Sequence, residues 1–350
     1  MTRQIRSLAA MAALAASLIW ICDVQALENP IGILLAAGDI VTCQNDETRS
    51  GKATADLIKR EIAKAGDQNI EVRVLALGDL AYDHGAAKSF DCFDATWGQF
   101  KDKILPVPGN HDYETSHGAG YFKYFDATLK ILKADKQLAF YSLEFPTPGA
   151  SPNNSWLLLG LNSNASTGAS SEQVKWLEAE LDKTKAKRCV LAFTHGFFYS
   201  SGRHGHDDGR RHPQNARIDL TKPLLPGNEM RAMFQALYAN HASLFVAGHD
   251  HHYEQLGRAN ADGDPVDNGK AAMMPDGVRS FVVGTGGKAL YPNDYQKKWA
   301  FTEAYDLKSY GILKIELYPD SYQWEFIPTK SNTASMKLVR DVKADTCNRS

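Results

Sequence analysis

The chain has 350 residues, of which 43% are hydrophobic and 10% aromatic, enough apolar material for one large domain or two modest ones. Charged residues make up 23% and the formal net charge is −2. That balance excludes a disordered polyelectrolyte and a basic nucleic-acid-binding surface, so function has to reside in a local site.

The N-terminus reads as a targeting segment. Arg3 and Arg6 precede the apolar run LAAMAALAASLIWI, and VQA at 24–26 places small residues where a signal peptidase reads them. Residues 1–26 are therefore expected to be a signal peptide, with cleavage after Ala26. An uncleaved anchor is the alternative, and lipidation of Cys22 is disfavoured by the bulky Ile21 before it. Nothing after residue 26 is apolar for long enough to span a bilayer. The expectation is an exported protein, periplasmic or secreted, free of the membrane once the signal is removed.

Along the rest of the chain, short apolar runs alternate with helical patterns. IGILLAA (31–37), VRVLAL (72–77), ILPV (104–107), WLLLGL (156–161), CVLAFT (189–194) and SLFVA (243–247) read as strands buried on both faces. ATADLIKREIAKAG (53–66), SEQVKWLEAELDKT (171–184) and NEMRAMFQALYAN (228–240) carry helical spacing. Later, SFVVGTGG (280–287), GILKIEL (311–317) and YQWEFI (322–327) are strands without helices between them. An α/β body closed by antiparallel strands follows. Export makes the cysteines candidates for bonding: Cys43, Cys92, Cys189 and Cys347 are an even number in an oxidising compartment, outside any CxxC pattern. Cys43–Cys92 is the preferred pair, because both follow strand-end loops, and four free thiols remain the alternative.

Five of the six buried strands end in residue types that bind metals. Asp39 closes AAGD, Asp79 and Tyr82 lie in ALGDLAY, and Asn110 and His111 in VPGNHD. His195 ends AFTH, and His249 and His251 belong to VAGHDH. Ligands of open α/β sheets sit beyond the carboxyl ends of strands, so these residues are expected at one edge. Gly38, Gly78, Gly109 and Gly248 are expected to form the tight turns that bring them together. Singly, an Asp or Asn after a strand is ordinarily a turn residue or helix cap, and a lone His a hydrogen-bonded core residue. Their recurrence at strand after strand argues for a site.

The series GD (38–39), GDLAY (78–82), GNHD (109–112), His195 and GHDH (248–251) resembles the calcineurin-like metallophosphoesterases, and among them the purple acid phosphatases. The resemblance spans roughly residues 30–290. Val41 discriminates, because many members of the wider family read D-x-H there and use that His as a ligand. Here Val stands in its place, while Tyr82 follows Asp79 by three, as in the purple enzymes. The resemblance implies an α/β fold, a β-sandwich of mixed sheets flanked by helices in four layers, with one catalytic domain over residues 27–350. It implies a dinuclear centre in which Asp39, Tyr82 and His251 hold Fe(III), and Asn110, His195 and His249 hold a divalent ion (Fe, Zn or Mn). Asp79 would bridge the two. The small animal-type form is the nearer match, since Asp39 falls too close to the mature start for an additional N-terminal sandwich.

The residue types suit that chemistry. A phenol with an ordinary pKa of about 10 ionises at modest pH only beside a strongly Lewis-acidic cation. Hard oxygens suit Fe(III), and His and Asn a divalent first-row metal. The implied activity is acid hydrolysis of phosphate monoesters on a small phosphorylated substrate, by attack of a metal-bound hydroxide. Spare His111 and His204, the latter nine residues after His195 as in the purple enzymes, are the expected proton donors. The basic run containing Arg203, His206, Arg210 and Arg211 would attract anions, and His212 is expected to face solvent. His252 and Gln255 depart from the plant-type pattern and are expected to tune the site. The same centre acting on phosphodiesters or pyrophosphate bonds is one alternative; a non-catalytic secreted metal-binding protein is another.

Overall fold

Runs of Val, Ile, Leu and Ala too short for helices pair into sheets buried on both sides. In the computed structural model, which describes residues 29–43, 45–146, 154–184, 188–206, 230–261, 276–292, 298–330 and 342–348, they make two mixed sheets. The first is built on parallel β1 (Gly32–Ala37), β2 (Val72–Leu77) and β3 (Ile104–Val107). It is extended antiparallel by β11 (Gly311–Leu317), β12 (Ser321–Pro328) and β13 (Lys343–Thr346) in the order β13-β12-β11-β1-β2-β3. The second has parallel β5 (Trp156–Gly160), β6 (Val190–Phe193), β7 (Leu244–Ala247) and β9 (Val278–Val283) at its centre. Antiparallel β4 (Tyr141–Phe145), β8 (Tyr253–Ala259) and β10 (Thr302–Asp306) complete the order β10-β8-β9-β7-β6-β5-β4.

The period of two along each strand decides which layer a side chain joins. Leu158 and Leu191 share one buried cluster with Leu34, Leu75 and Leu313 of the first sheet, so this core fills the sandwich. Their neighbours Leu157, Leu159 and Val190 turn to the other face. There they meet Val174, Leu177 and Leu181 of α4 (Glu172–Thr184) and Met233, Phe234 and Leu237 of α5 (Arg231–Ala239). Ala55, Leu57 and Ile58 of α1 (Asn45–Gly66) cover the first sheet. The expected sandwich of mixed sheets between helices is the fold of this chain.

Several elements differ from expectation. Helix α1 starts at Asn45, eight residues before the apolar spacing becomes regular. Helices α2 (Phe90–Asp94) and α3 (Ala119–Ile131) join it, with Phe90 and Phe125 packed edge to face. SFVVGTGG is a strand only to Val283, because Gly286 N–H donates to the Gly38 carbonyl (2.9 Å) and Lys288 N–H to that of Asp39 (2.9 Å). The glycines thus line a loop pressed against the end of β1. Edge strands β10 and β13 carry too few apolar residues to announce themselves. Cys43–Cys92 is bonded as expected, and Cys189–Cys347 forms a second disulfide, which excludes four free thiols. The second bond ties the segment after β13 to the start of β6. The signal segment, Arg210, Arg211 and His212 lie outside the described residues.

Candidate metal centre

The registers of both sheets bring strand ends to one rim. Ala37 pairs with Ala76 and Leu77 with Val107, so the loops after β1, β2 and β3 leave side by side. Phe193 pairs with Val246, which places the loops after β6 and β7 together. The sites following five strands therefore converge from two sheets rather than one.

At this rim the side chains form two groups joined by one carboxylate. Tyr82 Oη lies 2.9 Å from Asp39 Oδ1 and 3.3 Å from His251 Nε2, which is 3.2 Å from Asp39 Oδ1. In the other group, His195 Nε2 lies 3.1 Å from Asn110 Oδ1 and 3.2 Å from His249 Nδ1. Asp79 Oδ2 touches both, 2.7 Å from Tyr82 Oη and 3.5 Å from His195 Nε2. Asp39, Asp79 and His195 alone offer three ligand atoms within 4.8 Å of one another. The first group is buried, whereas Asn110 is exposed and His249 half-buried, so the centre opens to solvent on the second group's side.

The backbone carbonyls behind the histidines decide which ring nitrogen faces inward. His195 Nδ1 donates to the Leu77 carbonyl (2.8 Å) and His251 Nδ1 to that of Ala289 (2.7 Å). Each Nε2 is thereby left to face carboxylate, phenol or amide oxygens, which is how a metal-binding imidazole is held. Several acceptors converging on two points, with their tautomers fixed from behind, fit a pair of cations.

The metal-free chain meets the same crowding with protons. Burial works to raise the carboxyls of Asp39 and Asp79, but His251 beside the first and His195 beside the second overcome it and hold both below the usual range. Burial opposes protonation of His195, yet Asp79 raises it to about 9, and Asp39 likewise raises His251. Burial, then Asp39 and Asp79, push the Tyr82 phenol far up. His249 falls to about 3 through burial and then His204, and His204 to about 3 through burial, His251 and Arg203.

Three of these residues have left-handed backbones: Asp39 (φ 58°), Asp79 (φ 49°) and His249 (φ 74°). Each such non-glycine position costs on the order of 1–3 kcal/mol and persists only where its surroundings over-determine it. Here the site supplies the bracing. Asp39 Oδ2 accepts the His249 N–H (2.8 Å), and Asp79 Oδ1 accepts the His111 N–H (2.8 Å). The glycines then have a different role from the expected one, since of Gly38, Gly78, Gly109 and Gly248 only Gly78 has a left-handed φ. A Cβ on Gly109 would stand 2.1 Å from Asp79 Oδ1, and one on Gly248 2.9 Å from Asp39 Oδ2. They keep space for the carboxylates, and the turn after β7 is made by His249.

His111 Nε2 is 3.9 Å from Asp79 Oδ2, while its Nδ1 contacts Glu114 Oε1 (2.9 Å) and the Asp83 carbonyl (2.7 Å). The His204 ring stacks on that of His249 at 4.4 Å. Both spare histidines thus border the open side. Two acids escaped the sequence reading although each sits inside a motif. Asp112 of GNHD accepts the N–H groups of Gly109 (2.9 Å) and Leu80 (3.1 Å), joining the loops after β2 and β3. Asp250 of GHDH accepts from Ser200 and His204. Val41 is buried and bridged to Ala81, and His252 is buried against Glu254 at 3.4 Å. Gln255 bonds Trp324, Lys343 and Glu303, away from the centre.

The calcineurin-like phosphoesterase family matches residues 16–253. Among solved structures, the chain is similar to a purple acid phosphatase from yellow lupin (Lupinus luteus) seeds, with a TM-score of 0.63 at 14% identity over 91% of this chain. It spans only 54% of that enzyme's length. A dimetal phosphatase from Danio rerio matches with a TM-score of 0.54 at 14% identity, over 92% of this chain and 100% of that one. GAP50, the anchor in the inner membrane complex of Plasmodium, matches with 0.54 at 12%, over 91% and 89%. Identities this low show a shared fold.

Proposed function

The chain belongs to the calcineurin-like phosphoesterase family, and from that premise we propose that it is an exported acid phosphatase acting on small phosphate monoesters. The observation that carries this reading is the pair of donor groups joined through Asp79 Oδ2, with His111 and His204 on the open side. A shared fold alone does not establish catalysis, since a protein described as an anchor has it too. Proton-handling groups beside an open donor cluster favour an enzyme over a structural metal site.

Asp39, Tyr82 and His251 would hold a ferric ion, Asn110, His195 and His249 a divalent one, and Asp79 would bridge them. Such a pair, when bound, polarises the phosphoryl group and acidifies water. The chain's own residues do the rest. Glu114 and the Asp83 carbonyl hold His111 by Nδ1, so its Nε2 is free to give a proton to the leaving oxygen and to be recharged from solvent. His204, stacked on His249, donates a hydrogen bond to a phosphoryl oxygen. Two disulfides suit an oxidising compartment and support export. No described helix is long and apolar enough to cross a membrane.

Hydrolysis of p-nitrophenyl phosphate and bis-p-nitrophenyl phosphate by the metal-loaded protein separates the readings. A higher kcat/KM on the monoester is expected; the reverse order makes the protein a phosphodiesterase, and no turnover on either makes it a binding protein.

A further inference from the structure

GHDHHYE (248–254) holds two acids as well as its histidines, and metal binding accounts for neither. Both are fully buried, and both reach the same stretch, 200–204, of the segment after β6. Asp250 Oδ2 accepts the Ser200 hydroxyl (2.5 Å), and its Oδ1 accepts the backbone N–H of His204 (3.0 Å). Glu254 Oε2 accepts the Ser201 N–H (2.8 Å), and its Oε1 accepts the hydroxyls of Ser201 (2.6 Å) and Thr302 (2.8 Å). Ser200 Oγ in turn accepts the Gly202 N–H (3.0 Å), and Trp299 Nε1 donates to the Ser200 carbonyl (3.0 Å).

Taking a carboxylate out of water is costly unless its lone pairs are met; segment 200–204 meets both carboxylates, and Thr302 and His252 add to it at Glu254. Phe198 and Tyr199 anchor the start of this segment in the helix-side core, but beyond them Ser200, Ser201 and Gly202 offer little apolar surface to fix the path to His204. The clamp therefore sets where His204 begins, and the His249 ring at 4.4 Å sets where its imidazole lies. The same strand end that presents His249 thus also aims His204.

We propose that Asp250, seconded by Glu254, is the positioning residue for His204, coupling the substrate-contacting loop to the strand end that carries the metal ligands. The proposal rests on the reading of His204 as a phosphoryl contact. Asp250 lies between His249 and His251, so the competing role is to hold those ligands instead. Metal content separates the two.

The test compares Asp250→Ala, Asp250→Asn, His204→Ala and the double variant Asp250→Ala/His204→Ala, each metal-loaded. Metal per chain, kcat/KM on alkyl and aryl monoesters, and calorimetric affinity for inorganic phosphate are measured. Asp250→Ala should keep its metals and lose about 10–100-fold in kcat/KM on both substrates, as a small misplacement of a contacting group does. Phosphate should bind correspondingly more weakly. The double variant should be no worse than His204→Ala, and Asp250→Asn, which keeps an acceptor for the His204 N–H, should recover most of the loss. Loss of metal in Asp250→Ala, an additive double variant, or no rescue by Asn overturns the proposal. Should Asp250→Ala fail to fold, Ser200→Ala carries the test: it breaks one clamp contact and should weaken phosphate binding in the same direction, and an unchanged affinity overturns the clamp. Phosphate affinity stands even if monoesters prove not to be substrates. A His204→Ala variant with unchanged phosphate affinity overturns the role of His204 and the clamp together.

Discussion

Gly109→Ala tests whether space at the strand ends is as limiting as the structure requires. The added methyl would lie 2.1 Å from Asp79 Oδ1 and 2.2 Å from its backbone nitrogen, against an ordinary contact of 3.4 Å. The neighbours are a buried carboxylate and a backbone already at φ 49°, so neither yields easily. A shift of about 1.3 Å is needed to restore contact distance. Overpacking of this kind costs about 1–3 kcal/mol, leaving a folded protein with a melting temperature lower by several degrees. Catalysis should suffer far more, because about 1 Å of misplacement at a reacting centre costs on the order of 10²-fold. Gly168→Ala, where a Cβ meets nothing within 4 Å, is the control and should be neutral. The assay is kcat/KM on p-nitrophenyl phosphate beside a thermal melt of the same preparation. A Gly109→Ala protein that melts slightly low and keeps wild-type kcat/KM would show that Asp79 can move without consequence and that space at this strand end is not limiting.

Metal-free protein should be most stable near pH 6.5. Below that value His204 and His249, held to about 3, leave the unfolded chain with more protons despite the opposing Asp112, raised to about 7 by burial and then Asp79. Stability therefore falls as pH falls. Above it, His195 keeps its proton to about 9 while the unfolded imidazole has lost it, so stability falls as pH rises; a melting temperature climbing steadily from pH 6.5 to 9 would contradict this. His111→Ala should slow alkyl phosphates on the order of 10²–10⁴-fold and activated aryl phosphates much less, with equal losses pointing to a binding role. Iron-loaded protein should show a visible phenolate-to-iron band that Tyr82→Phe abolishes, and a band unchanged by the substitution would remove Tyr82 from the iron.

The candidate site was legible in the sequence because its residues lie where apolar runs stop. A strand buried on both faces reads as continuous hydrophobicity, so Asp39, Asp79 and His195 stand out at its end. What was hidden depends on contacts between distant segments. GTGG at 284–287 reads as the rest of a strand, yet it peels away to meet the loop after β1. Asp112 and Asp250 were visible as letters of GNHD and GHDH, but their partners, Leu80 and Ser200, lie dozens of residues away. The same limit explains the glycines, whose importance lies in the carboxylate beside them rather than in their own torsions. Edge strands β10 and β13 have one wet face and few apolar residues, so periodicity gave no sign of them.

Stepwise reconstitution of stripped protein counts the metals that activity needs. Stripped protein should be inactive on p-nitrophenyl phosphate, and activity should rise with added metal to a plateau at two equivalents per chain. Asp79→Ala, which removes a carboxylate oxygen lying against side-chain donor atoms of both groups, should reach neither two equivalents nor the plateau. A plateau at one equivalent, or an Asp79→Ala protein that holds two metals and turns over normally, would contradict the account.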